Sequence, residues 1–511
     1  MDRLLVLSDD PSLATGLGRC VRELTKRFVG KYELAVAGWH HTPIRHQFPF
    51  HIYPLIKGDP EEGQQLYAVL KDFSPQHLLC IGDIWDFGYL AAPLSQYRSE
   101  GKVTTHLWVT PDGEWTTPRW EEVIRLFDHV ASFSHFGSCE VKKIASVDCP
   151  VIYPGVDRQV FFRPEKFTHE ENVKGELGQQ FVIVTVAQNT TRKQLPFTLE
   201  TYAKFRQGRP DTHLVMLTDP NDPNGHNLIN IARFFGLLDG PNRALSFVRQ
   251  DPRNAIPDQK VAFTMLLGHC FMSTSVGDGY NLPLLEAMSC GVVPIGTKYS
   301  AIPEVIGDRG FLIEPASYFF GAYDVRRGIA STEDGVSHLT TLYDDWKSGG
   351  QLINALSSKC IDFAKEQTWD KTVHAILEMI QRPIEQAVFV RVDKPRRDEV
   401  CMVIPSWGKA CGIAEYTQQL VSAMERDGQK VRIFPSPDLP QLLKLREQQP
   451  FGIVHIQHEF SFFPDHFLLQ KSLEILRQAG LKTVVTLHSA VKLPAYNRIL
   501  LQTVDRVILH A

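Results

Sequence analysis

The chain has 511 residues, of which 43% are hydrophobic and 22% charged, and its formal net charge is −4. These values are typical of a globular protein of about two to four domains, and they exclude a dominant basic surface for nucleic acid. The N-terminus turns acidic too soon for a signal peptide, and no apolar run is long enough to cross a membrane. The nine cysteines form no Cys-x-x-Cys pair and the 19 histidines no metal motif, so we expect reduced thiols and a cytoplasmic protein, free or peripheral to a membrane.

Short apolar segments alternate with helical ones over residues 1–162, which predicts a doubly wound α/β domain. A strand over 4–8 is followed by a helix over Gly16–Phe28 with one apolar face. Further strands are predicted at 34–38, 78–81, 105–110, 129–134 and 151–153.

A second series of the same kind follows over residues 163–382, after a polar stretch that begins at Arg163. Its predicted strands are 181–187, 212–218, 244–248, 269–274 and 292–296, and its last helix covers 369–381. The pattern again predicts a doubly wound domain.

Residues 383–399 are a charged linker, after which the chain starts again at 400–511. A strand over 400–404 precedes a helix that Gly412 opens, as Gly16 opens the first helix. Later segments repeat this likeness: 452–457 resembles 78–82, 483–488 resembles 105–110, and 505–509 resembles 128–132. We therefore predict a third, partial domain that repeats the first, and we expect the chain to be a fragment of a longer tandem protein.

The segment 275–286 holds two acids, Asp278 and Glu286, eight positions apart. Asn281 is predicted to cap a helix whose first residue is Pro283, which turns Glu286 back toward the helix N-terminus and Asp278. Free N–H groups at a helix N-terminus suit a phosphate, and two carboxylates suit hydroxyl groups. The spacing therefore predicts a nucleotide-sugar site.

The sequence of 278–291, Asp-Gly-Tyr-Asn-Leu-Pro-Leu-Leu-Glu-Ala-Met-Ser-Cys-Gly, resembles the acid-x7-acid signature of the retaining glycosyltransferases of family four, the glycosyl transferases group 1. Residues 151–157 and 302–306 resemble other segments of that family. The resemblance implies the GT-B fold, with two Rossmann-like domains and here a third, partial one. It also implies transfer with retention, a nucleotide-diphosphate sugar as donor substrate and no required cofactor or metal.

The same resemblance implies roles for the signature residues. Glu286 would bind the nucleotide ribose and Asp278 would contact the donor sugar, while the donor also meets the residues between them, Gly279, Tyr280, Asn281 and Leu282. The chain departs from the family at Asp278, where Glu is usual, and at Asn281, where the usual residue is Gly. It also has Asn-Thr-Thr-Arg-Lys at 189–193 in place of Arg-x4-Lys.

Other candidates follow the predicted strands. Arg192 and Lys193 come after the strand at 181–187, where two cations can neutralise a leaving diphosphate. Gly16 and Gly18 lie between a strand and a helix, where backbone N–H groups can approach a phosphate. Asp112 is a candidate for acceptor contact or proton removal, or else a turn-forming residue of Pro-Asp-Gly. The adjoining Glu114 and Trp115 are candidates for binding a sugar ring, with a core tryptophan as the alternative.

Together these features predict a glycosyltransferase that moves a sugar to an acceptor hydroxyl on a glycan, lipid, protein, small molecule or modified nucleobase. Two alternatives remain at this stage: a nucleotide-sugar epimerase or hydrolase, and a degenerate scaffold that binds glycans or nucleotides without catalysis. A dinucleotide oxidoreductase is disfavoured because neither strand-glycine-helix start contains Gly-x-Gly-x-x-Gly.

Overall fold

A computed structural model divides the chain into two units, Met1–Arg382 and Pro383–Ala511. The residues that it describes form three parallel sheets and one small antiparallel sheet. The described residues are 1–41, 48–98, 102–173, 175–238, 244–248, 256–383, 399–409, 411–448, 451–459, 462–463, 466–488 and 503–509. Most of the predicted linker, 384–398, lies outside them. The predicted α/β class and the two doubly wound domains are confirmed.

Residues 1–162 contain the first sheet. The strands are β1 (Arg3–Asp9), β2 (Glu33–Trp39), β3 (His51–Leu55), β4 (His77–Gly82), β5 (Thr104–Val109), β6 (Glu114–Trp115) and β7 (His129–Ser132). The helices are α1 (Gly16–Phe28), α2 (Glu62–Phe73), α3 (Ala91–Arg98), α4 (Trp120–Ile124) and α5 (His135–Ala145). All strands but β6 form one parallel sheet in the order β3-β2-β1-β4-β5-β7. Ligands of such sheets bind at the carboxyl ends of the strands, where the order reverses between β1 and β4.

Two details of this sheet differ from the prediction. The strand expected at 151–153 is wrong, because only Val151 forms an isolated bridge, to Ser132. Strand β3 was not predicted; it contains Pro54, and its side chains are mostly half-buried or exposed, so it lacks the apolar run of a buried strand.

The second domain repeats this topology. Its strands are β8 (Phe181–Val186), β9 (Thr212–Leu217), β10 (Leu245–Val248), β11 (Cys270–Ser273), β12 (Val293–Thr297), β13 (Phe311–Ile313), β14 (Pro315–Phe320) and β15 (Val325–Ala330). Its helices are α6 (His169–Asn172), α7 (Leu195–Arg206), α8 (Leu228–Phe234), α9 (Asp258–Leu266), α10 (Leu282–Ser289), α11 (Ile302–Ile306), α12 (Thr332–Lys347), α13 (Gln351–Glu366) and α14 (Trp369–Gln381). Six strands form a parallel sheet in the order β10-β9-β8-β11-β12-β13.

A hairpin of the second domain pairs with the first domain. Strands β14 and β15 are antiparallel, and β15 also pairs antiparallel with β6, with Val325 opposite Trp115 and Arg326 opposite Glu114. This three-stranded sheet was not predicted, because its strands come from distant parts of the sequence. It fixes the loop that holds Asp112 against the second domain.

In the second unit, the described residues form five parallel strands in the order β17-β16-β18-β19-β20. The strands are β16 (Glu399–Val403), β17 (Lys430–Phe434), β18 (Ile453–His458), β19 (Lys482–Leu487) and β20 (Arg506–Leu509), and the helices are α15 (Gly412–Arg426), α16 (Gln441–Gln448) and α17 (His466–Gln478). The order corresponds to β2-β1-β4-β5-β7 of the first sheet.

One pair of hydrogen bonds is also shared by these two sheets. The backbone N–H of Thr105 donates to Asp128 at 2.9 Å, and that of Thr483 donates to Asp505 at 2.9 Å. Each aspartate precedes the last strand of its sheet. These likenesses support the predicted repeat, which itself stays a prediction.

In the described part of the chain, no helix combines the length and apolar character needed to cross a bilayer, and no cluster of three or more Asp, Glu, His or Cys side chains is arranged to hold a metal. All nine cysteines are free thiols.

Gly277 provides a test of the contact between the two domains of the first unit. A β-carbon there would lie 1.8 Å from the carbonyl oxygen of Asp112, so Gly277→Ala must separate two backbone segments. We expect this change to destabilise the unit by about 1–3 kcal/mol, measured by thermal or urea unfolding. The matched control is Gly63→Ala, whose new β-carbon would meet Pro93 at 3.7 Å. Equal stability of Gly277→Ala and the wild type would contradict the close approach of Gly277 to the Asp112 backbone.

Candidate functional site

A cavity of about 430 Å³ lies between the two domains of the first unit. It is at the carboxyl ends of the central strands of both sheets, the position expected for ligands of doubly wound domains. Of the predicted site residues, those that line it are Gly16, Asp112, Arg192, Lys193, Asp278, Gly279, Tyr280, Asn281, Leu282 and Glu286. The structure thus brings together residues that are more than 250 positions apart in the sequence.

Asn281 organises the start of α10. Its backbone is left-handed, with φ 72° and ψ 71°, a conformation that asparagine tolerates better than most residues. Its side chain accepts a hydrogen bond from the backbone N–H of Leu284 at 3.3 Å and donates to Asp278 at 2.9 Å. The helix begins at Leu282, so the prediction that Pro283 is its first residue is wrong by one position. Asparagine therefore replaces the usual glycine here while keeping the left-handed turn and adding a cap.

Glu286 is 2% exposed and faces the cavity from α10. Its Oε1 forms an ion pair with Nη1 of Arg19, a residue of α1 in the other domain. Its Oε2 is buried and has no hydrogen-bond partner among the described residues. An unsatisfied buried carboxylate oxygen is costly, so this atom is a position where a ligand hydroxyl would be stabilising.

Sequence analysis did not identify Arg19. The guanidinium also donates to Asp258 of α9 at 2.8 Å, so it joins α1 to two helices of the second domain. Burial lowers its pKa, although arginine remains protonated in proteins. Arg19 lies on the turn after Gly16, but nothing in the local pattern separates it from Arg22, a half-buried arginine that pairs with the same Asp258.

Asp278 accepts from both predicted cations. Lys193 Nζ lies 2.6 Å from its Oδ1, and the Arg192 guanidinium contacts the same oxygen. Burial alone would raise the pKa of Asp278, but the charges of Lys193 and Arg192 more than offset it, so the pKa lies below its usual range. Both cations belong to a single 3₁₀ turn, Thr191–Lys193, which is the next element after β8. The site therefore holds a carboxylate with two positive charges at one edge of the cavity.

Asp112 is placed in a different environment from the one expected of a proton acceptor. It is 4% exposed, and Nη2 of Arg327 in β15 donates to both of its oxygens, at 2.8 and 3.0 Å. Arg192 Nε lies 3.6 Å from the same carboxylate. Its role in acceptor contact or proton removal stays a prediction, but the contacts are those of a carboxylate that joins the two domains.

The residues after Asp112 also face the second domain. Glu114 pairs with Arg326 at 2.9 Å, and Trp115 is 1% exposed, so the core alternative for that tryptophan is the one observed.

The glycines at the start of α1 have different surroundings. Gly16 lines the cavity, and a β-carbon there would meet only Leu282, at 3.9 Å. Gly18 does not line it; a β-carbon at Gly18 would lie 2.8 Å from the Leu13 carbonyl oxygen, so this glycine is needed for close packing. Thr15 caps the helix by accepting from the Gly18 N–H at 3.0 Å. The N-terminus of α1 is thus held at the edge of the cavity, with open space next to Gly16.

Sequence analysis also missed Asp83, although only Gly82 separates it from the predicted strand 78–81. Its carboxylate lines the cavity and accepts a hydrogen bond from the Thr110 hydroxyl at 2.6 Å. Burial, together with the charges of Asp112 and Asp86, raises the pKa of Asp83 to about 7. A carboxyl group that titrates near neutrality in a cleft is a candidate for proton transfer. Its position at a strand end was the signal that could have identified it.

A family model described as "Glycosyl transferases group 1" matches residues 180–320, the part of the chain that contributes Arg192, Lys193, Asp278 and Glu286 to the cavity. Over this segment the chain is similar to the group 1 glycosyl transferases.

Curated relatives match this chain over parts of their length. The O-antigen chain mannosyltransferase B of Escherichia coli is 37% identical over 60 residues, which are 12% of this chain and 16% of that protein. The N-acetyl-alpha-D-glucosaminyl L-malate synthase of Bacillus anthracis is 26% identical over 195 residues, 37% of this chain and 47% of that protein. These matches thus span less than half of the relatives' length.

Solved structures share the fold of this chain. Sucrose-phosphate synthase from Thermosynechococcus elongatus has a TM-score of 0.57 at 12% identity, covering 74% of this chain and 98% of its own. Anabaena Alr3699/HepE in complex with UDP and glucose has a TM-score of 0.57 at 14% identity, covering 74% and 99%. The predicted GT-B fold is confirmed.

The raised pKa of Asp83 gives a pH-dependent prediction. Between the ordinary value of 3.8 and about 7, the folded state holds a proton that the unfolded state has lost, so stability falls as pH rises through that window. Asp83→Asn removes this dependence and keeps an acceptor for Thr110. We expect it to raise the melting temperature relative to wild type at about pH 8 and to have little effect at about pH 4.

The control for this experiment is Glu61→Gln, which alters an exposed carboxylate. It should change the melting temperature by the same small amount at both pH values. If Asp83→Asn behaves in the same way, the carboxyl group does not titrate differently in the folded state.

Proposed function

We propose that this chain transfers a sugar from a nucleoside-diphosphate sugar to an acceptor hydroxyl, with retention at the anomeric carbon and without a required metal ion. The observation that carries the proposal is the buried, unpartnered Oε2 of Glu286, which faces the cavity within the segment matched by the family model. The proposal is supported by the acids, cations and helix N-termini that surround the same cavity.

The Glu286 carboxylate suits a ribose. Arg19 holds one of its oxygens, which fixes the orientation of the carboxylate and directs the other oxygen to a ligand. A ribose hydroxyl can donate to Oε2 and remove the cost of leaving that atom unsatisfied. A related fold, that of Anabaena Alr3699/HepE, has been solved in complex with UDP-glucose, which is consistent with a nucleotide sugar at this position.

Arg192 and Lys193 would stabilise the leaving diphosphate. Breaking the bond between sugar and phosphate develops negative charge on the leaving oxygen, and fixed cations lower the free energy of that charge. Lys193 is nearly buried, and Arg192 lines the same cavity. The N-terminus of α1 adds a further favourable partial charge. These groups supply the charge neutralisation that a divalent metal supplies in other transferases.

Asp278 would then contact the donor sugar and hold Arg192 and Lys193 in position. Because Lys193 and Arg192 hold its pKa below the usual range, Asp278 is ionised at neutral pH and can accept hydrogen bonds from sugar hydroxyls. The side chain of Asp278 is one methylene shorter than that of the usual glutamate. The hydrogen bond from Asn281 fixes the position of its carboxylate. Retention is the outcome that the group signature implies.

Glu286→Ala tests the donor site. Screening UDP-, GDP- and ADP-sugars for slow hydrolysis identifies the donor without knowledge of the acceptor. With that donor, the variant should lose at least about a hundredfold in turnover, since a hydrogen-bonded contact to a charged group is removed and the orientation is lost. Calorimetric titration with the matching nucleoside diphosphate should show weaker binding than in wild type.

The control is Glu314→Ala, which removes an exposed acid of the same domain that pairs with Lys298. It should leave binding and turnover unchanged. If Glu286→Ala kept the turnover of the wild type, the assignment of Glu286 to the donor site would be wrong. Absence of nucleotide binding in the wild-type chain would favour the non-catalytic scaffold instead.

Metal removal tests the role of the two cations. After treatment with EDTA and exchange into metal-free buffer, we expect donor turnover to be unchanged within about twofold, because Arg192 and Lys193 neutralise the leaving group. Activity that is lost and then restored by Mg²⁺ or Mn²⁺ would show that these side chains are insufficient.

A further inference from the structure

Three aromatic side chains form a cluster beside the first-domain side of the cavity. Trp85 and Tyr323 are stacked, with ring centroids 4.9 Å apart and an angle of 7° between their planes. Trp120 packs edge-on against both, at 6.3 Å from Trp85 and 6.2 Å from Tyr323. Trp85 and Trp120 belong to the first domain, whereas Tyr323 is in the turn between β14 and β15.

Tyr323 is an unusual residue for its backbone conformation. It has φ 62° and ψ 22°, and the next residue, Asp324, has φ 58°. Residues with a β-carbon rarely adopt this left-handed region, in which glycine and asparagine are preferred. The turn is nevertheless held by hydrogen bonds from Gly321 N–H to the Val325 carbonyl at 2.9 Å and from the Thr116 hydroxyl to the Asp324 carbonyl at 2.5 Å. Folding alone would therefore favour glycine at 323.

The tyrosine ring is also accessible. Tyr323 is 47% exposed although Trp85 stacks on its ring and Trp120 contacts it edge-on, so part of the residue is accessible to a ligand. Three of the exposed large hydrophobic residues in the described part of the chain lie within this one hairpin, at Tyr318, Phe320 and Tyr323.

The cluster adjoins the cavity. Trp85 comes two residues after Asp83, which lines the cavity, so their α-carbons are at most about 7 Å apart. On the hairpin side, Arg327 binds Asp112, another lining residue. The cluster therefore lies near two first-domain residues that line the cavity, although its three rings are not themselves lining residues.

We propose that Trp85 and Tyr323 form a platform on which a sugar ring of an oligosaccharide acceptor stacks. This proposal rests on the proposed glycosyltransferase function and specifies its acceptor as a glycan. The C–H groups on one face of a pyranose pack against an aromatic ring, while its hydroxyl groups point outward to polar partners. Exposed charged groups stand beside the platform at Arg119, which lies over Trp120 at 4.2 Å, and at Asp324.

The charges around the platform favour a neutral ligand. Arg119 and Arg326 are balanced by Glu114 and Asp324, and Arg326 is paired with Glu114 at 2.9 Å. An anionic membrane or a nucleic acid would require a surplus of positive charge here. In addition, Trp120 is buried and Trp85 is partly buried, so neither projects as a membrane anchor would. A polyhydroxylated, uncharged sugar fits both observations.

The test uses Tyr323→Gly in the full chain, because glycine suits the left-handed turn and keeps the fold. Binding of mannotriose, maltotriose and chitotriose is titrated by saturation-transfer NMR. We expect at least one trisaccharide to bind the wild type with a Kd of about 10 mM. Its Kd for Tyr323→Gly should be about tenfold higher. The melting temperature should be unchanged or raised.

Two matched variants complete the test. Tyr323→Phe keeps the ring and should bind as the wild type does. Tyr318→Ala removes a tyrosine of the same hairpin with the same 47% exposure, which packs on Arg326 instead of Trp85, and should also leave binding unchanged.

The proposal is overturned if no trisaccharide binds the wild type, or if Tyr323→Gly binds as tightly as wild type. It is also overturned if Tyr323→Gly instead loses binding to phosphatidylcholine–phosphatidylglycerol vesicles. Failure of the proposed function would look different: no nucleotide sugar would be hydrolysed and no nucleoside diphosphate would bind, while the trisaccharide titration would still report on the platform.

Discussion

Ion pairs between the two domains of the first unit hold the cavity in place. Asp112 of the first domain is bound by Arg327 of the second, and Glu286 of the second is bound by Arg19 of the first. Burying such charges costs several kcal/mol for each ion unless its partner is in position. Each domain therefore carries charges that only the other can satisfy, and neither half of the site is electrostatically complete alone.

The same pairs define where a donor can bind. Arg19 uses one oxygen of Glu286 and leaves the other oxygen without a partner, while Lys193 and Arg192 converge on one oxygen of Asp278. The cavity is thus not uniformly charged: a cationic edge suits phosphate, and a carboxylate edge suits hydroxyl groups. A nucleoside-diphosphate sugar carries both kinds of group in one molecule.

Local sequence patterns were sufficient for much of the fold and for one side of the site. Helices α1 and α14 were predicted with the bounds observed, because each has a capping residue and one apolar face. The acid pair and the two cations were found because they lie close in sequence to strand or helix ends. Arg19, Arg327 and the hairpin could not be found in this way, since their roles depend on residues from the other domain. The one-residue error at Pro283 arose because Asn281 adopts a left-handed conformation that the sequence does not reveal.

The pairing of β15 with β6 has a consequence for the order of folding during synthesis. Glu114 in β6 and Arg326 in β15 are 212 residues apart in the chain. Strand β15 therefore leaves the ribosome long after the first sheet can form. Until then, β6 has an unpaired edge and Asp112 lacks the arginine that neutralises it. The loop of Asp112 therefore gains its complete set of contacts only after the second domain has been made.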